Sequence, residues 1–289
     1  MPEIPDLDAI VSYLRPQIIG TSIEAVSIPL PWMLRSVPPD AEAALRGERF
    51  QALDRRGKHL LFTFQEVTLV VHPMLVGRFY YIPPPEKPPR EMAIELILSN
   101  GMALRYADEK RMGRLYLVPG RDFSTIPGFN EQGPDPLAED FTFERFMERL
   151  KGRYGEMKGL LTNAKVVSGI GNAYVDEILF EAGVYPFRRK KELSEGELRK
   201  VYEAISIVLN RAKKIISERM GSQTHLKIRD FLQVHGKGGK PCPKCGQKIA
   251  TVGAWQRATN FCRNCQPGLM VEPGRALKTQ DPGDSVQSS

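Results

Sequence analysis

All four cysteines of this 289-residue chain stand near its end, as Cys242-Pro-Lys-Cys245 and Cys262-Arg-Asn-Cys265. Two C-x-x-C knuckles separated by residues 246–261 have the spacing of a zinc ribbon, each knuckle turning at a hairpin and offering two thiolates to one tetrahedral ion. Four thiolates complete that coordination, so one structural Zn²⁺ is expected, with no open position for a reacting water. A redox pair is the competing reading, and two knuckles at this separation favour metal. The N-terminus MPEIPDLDAI has no basic region followed by an apolar run, so no export signal is expected and a cytoplasmic compartment fits reduced thiols. No stretch approaches the roughly 18 to 20 apolar residues that cross a bilayer, so no membrane partner is expected.

Ahead of the ribbon the hydrophobic period changes once. Up to residue 118 the chain reads as strands: Leu60 to His72, Gly77 to Ile82, Ala93 to Asn100, Met102 to Asp108 and Gly113 to Val118. Asn100-Gly101 marks a hairpin turn between two of them. One helix precedes them, from Pro5 to about Leu14, with Leu7, Ile10, Val11 and Leu14 on one face. The run Pro83 to Arg90 is too proline-rich for a sheet and reads as an exposed loop. Residues 119–136 form a Gly/Pro/Asp linker, after which helical spacing takes over across 137–235. The longest helix opens on a Ser-x-x-Glu capping box at Ser194 and Glu197. Residues 236–267 are the ribbon, and 268–289 a polar tail expected to be disordered. The expected class is α+β multidomain.

Lysine and arginine (41) exceed aspartate and glutamate (34), a formal charge of +7 that suits an anionic partner or a merely solvated surface. A more local clue is Val167-Ser168-Gly169-Ile170-Gly171-Asn172-Ala173-Tyr174, a glycine turn between two helices. Backbone N–H groups at the next helix start favour a phosphate, with the Asn172 amide and the nearby Lys158 adding to it. A plain turn between packed helices is the simpler alternative. A dinucleotide fold is excluded, since no strand precedes the turn and the third glycine is missing. Between the knuckles, Arg257 belongs to a ribbon hairpin of the kind that can fork an arginine onto a phosphate, although a zinc ribbon by itself is a scaffold and many bind protein instead.

Together these segments resemble the formamidopyrimidine-DNA glycosylase and endonuclease VIII family, from Met1 to Gln266. The resemblance rests on Met-Pro-Glu-x-Pro at the start, Arg55-Arg56-Gly57-Lys58, the block from Leu160 to Pro186, and the ribbon ending in Cys-Gln. It implies an N-terminal β-sandwich with a flanking helix (1–118), a helix–two-turn–helix domain and a zinc ribbon. It implies base-excision repair: glycosylase and abasic-site lyase chemistry on double-stranded DNA carrying oxidised bases or abasic sites. The protein would act as a monomer in the bacterial cytoplasm, associated with the nucleoid through DNA binding.

The same resemblance assigns roles. Met1 is removed, and the Pro2 amine becomes the nucleophile. A terminal amine, with a pKa of about 8 against about 10.4 for lysine, is the more readily neutral one. Glu3 moves protons and Asp6 supports the site. Lys58, Lys158, Asn172 and Arg257 hold phosphates. Met74, Arg111 and Met112 fill the gap left by a flipped base. Asp6 stands where glutamate is usual, Met112 where phenylalanine is usual, and Asp108-Glu109-Lys110-Arg111 replaces Asp-Pro-Arg-Arg. Ile4 and the segment Met220 to His225 look more like the formamidopyrimidine branch, hence oxidised purines such as 8-oxoguanine. Rival readings are an oxidised-pyrimidine enzyme of the endonuclease VIII type, a catalytically silent damage-binding relative, and a zinc-ribbon interaction module.

Overall fold

The computed structural model describes residues 1–35, 40–253 and 258–268. The expected helix is α1 (Ile4–Ile18), whose Leu7, Ile10, Val11 and Leu14 are all buried. It runs past Leu14 and through Pro16 because Ile18 also reaches the core. Two four-stranded antiparallel sheets follow. One orders β1 (Ile23–Ser27), β6 (Met92–Leu98), β7 (Ala103–Ala107) and β5 (Arg78–Ile82). The other orders β2 (Ala52–Arg56), β3 (His59–Thr63), β4 (Val67–His72) and β8 (Arg114–Pro119). The run from Leu60 to His72 is therefore two strands, broken where Gln65 and Glu66 are exposed and Phe64 N–H bonds back to Val67. Strands β1 and β2, and the short helix α2 (Ala41–Leu45), were not anticipated. β2 reads Ala-Leu-Asp-Arg-Arg, a poor strand by composition, and is held by its pairing with β3 and by Arg55.

The helical part holds α3 (Phe143–Leu150), capped by Thr142, then α4 (Met157–Thr162), α5 (Asn172–Glu181) and α6 (Glu195–Met220). The Ser194–Glu197 capping box forms in both directions, with Ser194 N–H to Glu197 at 2.8 Å and Glu197 N–H to Ser194 Oγ at 3.3 Å. The Pro83–Arg90 loop is outside the sheet, pinned where the buried Arg105 guanidinium donates to the carbonyls of Pro84 and Glu86. The ribbon strands β9 (Ala250–Val252) and β10 (Thr259–Phe261) pair antiparallel.

The two large cores exchange residues. Ile216 and Met220 of α6 pack into the sheet-side core with α1, whereas Ile4 sits in the helical core beside Val167, Ile170 and Tyr174. This exchange fixes the N-terminal residues at the junction of the two parts, where the site lies.

Candidate active site

Glu3 precedes α1 and is almost fully buried, which for a carboxylate requires partners. It has three: its carboxylate accepts N–H bonds from Gly171 (2.7 Å), Ala173 (3.0 Å) and Tyr174 (3.3 Å), at the start of α5. Three of the N–H groups that the sequence offered to a phosphate, those of Gly171, Ala173 and Tyr174, are thus taken by the chain's own Glu3. The glycines serve close approach. A Cβ on Gly171 would lie 2.5 Å from Glu3 Cδ, and one on Gly169 (φ +83°) would lie 2.5 Å from Ile4 Cγ1.

Lys58 occupies the tip of the two-residue β2–β3 hairpin, with Gly57 at φ +58°. The positive φ at Gly57 disfavours any other residue, and a Cβ there would also displace the Gln132 side-chain amide, whose Oε1 would lie 2.0 Å away. Arg55 locks the hairpin by pairing with Asp8 of α1 and with Asp135 of the linker. Burial lowers the proton affinity of the Lys58 amine, with Glu3 opposing. Behind it lies a cavity of about 360 Å³ whose wall includes His59, His72 and Met74. The two imidazoles meet edge to face at 4.6 Å, and burial pushes His59 down to about 4 and His72 down to about 3. Both are neutral near pH 7.

Asp6 accepts the Glu3 backbone N–H at 2.8 Å and pairs with Arg229. Burial pushes the Asp6 carboxyl up, against the pull of Arg229. Met1, Glu3, Asn172, Lys227, Arg229 and His235 line a cleft of about 580 Å³. Burial, reinforced by Lys227, lowers the Met1 amine to about 6. With Met1 attached, the Pro2 nitrogen is a peptide nitrogen and not a nucleophile.

One expected phosphate ligand, Lys158, points inward. Lys158 is buried, its ammonium donating to Asp176 at 2.8 Å and to Thr259 Oγ1 at 2.7 Å. It is a clamp between α4, α5 and the ribbon, because an ammonium drawn out of water takes the nearest carboxylate. Asp176 also accepts from His235 Nδ1 (2.8 Å) and from Asn260 N–H (3.2 Å). The Asn172 side chain lines the cleft, and its amide donates to the Ala258 carbonyl at 2.9 Å. Arg257 lies outside the described residues.

Of the gap-filling candidates, Arg111 and Met112 are exposed on a loop shaped by buried Asp108, which accepts from the Lys110, Met112 and Gly113 N–H groups. Arg111 forks onto Glu91 at 2.6 and 2.8 Å. Met74, Glu91 and Arg111 are the three non-glycine residues with positive φ among those described. Such backbone strain clusters where a loop is shaped for function. Met74, however, faces the cavity behind Lys58; its neighbours Leu75 and Val76 line the main cleft. The sequence reading missed these two and also Lys227, Arg229 and His235, none of which belongs to a periodic pattern or a recognisable motif.

The ribbon fits its ion. The four Sγ atoms lie within 4.8 Å of one another, with Cys242–Cys265 at 3.8 Å and Cys245–Cys262 at 3.5 Å. Thiolates about 2.3 Å from a tetrahedral zinc stand about 3.8 Å apart.

Fold and site together define a two-part protein with a zinc ribbon, whose N-terminal residues are delivered into a cleft at the junction. Residues 1–115 match the family model of the formamidopyrimidine-DNA glycosylase N-terminal domain. Residues 132–224 match that of its H2TH domain, and residues 239–268 that of the zinc finger found in FPG and IleRS. A formamidopyrimidine-DNA glycosylase of Symbiobacterium thermophilum is 36% identical, over 96% of this chain and 93% of its own. That of Heliobacterium modesticaldum is 35% identical, over 92% and 100%. Structures of Lactococcus lactis Fpg with abasic-site DNA and with Fapy-dG DNA superimpose at a TM-score of 0.83, with 27% and 28% identity, covering 92% of this chain and all of theirs. The chain belongs to the formamidopyrimidine-DNA glycosylase family.

Proposed function

We propose that this chain is a base-excision glycosylase for oxidised purines that also cuts the strand at the resulting abasic site, with Pro2 as nucleophile once Met1 is removed. The observation that carries the reading is the Glu3 cradle: a buried carboxylate, fixed by three backbone N–H groups, next to Pro2 in the chain and on the wall of the 580 Å³ cleft. Core packing has no need of a carboxylate there. Relatives named formamidopyrimidine-DNA glycosylase, and neighbours solved with abasic and Fapy-dG DNA, support the same substrate class.

The chemistry follows from a neutral secondary amine. Its lone pair forms a bond to the sugar C1′, while the C1′–N bond to the damaged base breaks and the pair leaves with the base, which takes a proton. Opening of the C1′–O4′ bond, with O4′ taking a proton, gives an iminium ion. The iminium acidifies the C2′ proton; its loss expels the 3′ phosphate, and a second elimination expels the 5′ phosphate. Water then releases Pro2. Glu3, adjacent in the chain, would give the proton to O4′ or take it from C2′. Lys58 and the Asn172 side chain face the strand's phosphates, and Leu75, Arg111 and Met112 fill the gap left by the extruded base. The bound zinc would hold the ribbon rigid against α5. We further read the protein as a monomer working on nucleoid DNA in the bacterial cytoplasm.

Duplexes carrying 8-oxoguanine, thymine glycol or an abasic site, incubated with Met1-free protein and borohydride, test this. A covalent adduct with 8-oxoguanine is the expected result. An adduct with thymine glycol alone would move the enzyme to oxidised pyrimidines, and none with any substrate would overturn the reading.

A further inference from the structure

The N-terminus sits among four charges, and they are not balanced. Its two acids are already engaged. Glu3 is held by three N–H donors of α5, and Asp6 by Arg229 and the Glu3 N–H. Its two cations are less so. Lys227 is exposed, lines the main cleft beside Met1, and forms no ion pair among the described residues. Arg229 meets Asp6 through Nη2, which also reaches the Met1 carbonyl at 3.5 Å, but its buried Nε and Nη1 have no hydrogen-bond partner among the described residues. Its guanidinium lies 4.6 Å from the centre of the Tyr174 ring. Lys227 and Arg229, together with Arg78 of β5, also line a small cavity of about 20 Å³ against Pro2 and Asp6. On the sheet side, the partly buried Lys58 faces Glu3.

From this arrangement we infer that Lys227 and Arg229 are positioning residues for the nucleophile, two cations whose field keeps the Pro2 amine free of its proton near neutral pH. The inference rests on the proposed role of Pro2. A positive neighbour disfavours an ammonium, so the neutral amine becomes more abundant and begins attack at a lower pH. The lowered proton affinity of the Met1 amine at the same place is in keeping with this. Arg229 has a second duty, since it neutralises Asp6, whose negative charge would otherwise draw a proton to the amine.

The test is the pH profile of borohydride trapping on an abasic-site duplex at saturating DNA, with Met1 removal verified by mass. Lys227→Gln, at an exposed position, leaves the fold intact. It should raise the pH of half-maximal trapping rate by about half to one unit, so that the rate at pH 6.5 falls about three- to tenfold and recovers by pH 9. Arg229→Gln should move the midpoint the same way, whereas Lys227→Arg and Arg229→Lys, which keep the charge, should hold it near wild type. A midpoint that does not move, or a loss of rate uniform across pH, would overturn the inference while leaving the proposed function standing. A wild-type protein that traps at no pH would instead overturn the proposed function itself, and this inference with it.

Discussion

Replacing Lys158 with methionine separates the internal clamp from the phosphate ligand that the sequence suggested. Asp176 is fully buried and the Lys158 side chain 11% exposed, so removing the ammonium leaves a carboxylate short of one of three donors. Breaking a buried pair costs about 3–5 kcal/mol. His235 and Asn260 still donate to Asp176, so the lower end of that range, about 3 kcal/mol, is expected. Asp176→Leu should cost at least as much, because it strands three donors. The double variant should cost less than the sum, with a coupling of about 2 kcal/mol. Urea denaturation of the zinc-loaded protein measures all four corners. In parallel, the slope of log affinity for abasic-site DNA against log salt should stay at its wild-type value in Lys158→Met. A phosphate ligand would behave otherwise: the slope would drop by about one and stability would change by less than about 1 kcal/mol. That pair of results would refute the clamp.

Gly171→Ala puts a methyl 2.5 Å from Glu3 Cδ, so Glu3 must leave its cradle; excision should fall at least about tenfold in single-turnover assays, with DNA affinity much less affected. Leu75→Ala should slow excision from duplex DNA more than Met74→Ala does, because Leu75 faces the cleft and Met74 the cavity behind Lys58. His59 and His72 are held neutral by burial, to about 4 and about 3. The unfolded chain takes up protons below about pH 6.5 while the folded one does not, so their contribution to stability is complete above that pH and is lost as pH falls towards 4. Urea midpoints at pH 7.5, 6.0 and 5.0 should therefore drop less in His59→Phe/His72→Leu than in wild type.

What could be read from sequence were features that announce themselves locally. The knuckle spacing gave the metal site, the Ser194–Glu197 box gave the start of α6, and alternation gave most of the strands. Glu3 and Lys58 were named only through family resemblance; Glu3 follows Pro2 in the chain and lines the cleft, and Lys58 sits at the β2–β3 hairpin tip. The failures share a cause, which is that a side chain's partner is often far along the chain. Lys158 looked like a surface cation because Asp176 and Thr259, 18 and 101 residues away, are invisible to any local pattern. The glycine turn looked like an anion cradle, and it is one, but its anion is Glu3, 168 residues upstream of Gly171. Met74 was named through the resemblance, and the positive-φ turn (φ +46°) that leaves it on the cavity behind Lys58 while Leu75 lines the cleft has no local sequence signature. Arg229 compensates the unusual Asp6, which a reading of position 6 by itself had no means to see.

The central claim is that Pro2 is the covalent nucleophile, and the most direct test is to locate the bond. The protein freed of Met1 is trapped with borohydride on 8-oxoguanine duplex, digested, and the sugar adduct mapped by peptide mass spectrometry. The account predicts that the adduct lies on the N-terminal peptide, on the nitrogen of Pro2. An adduct on Lys58, Lys227 or any other lysine would contradict it.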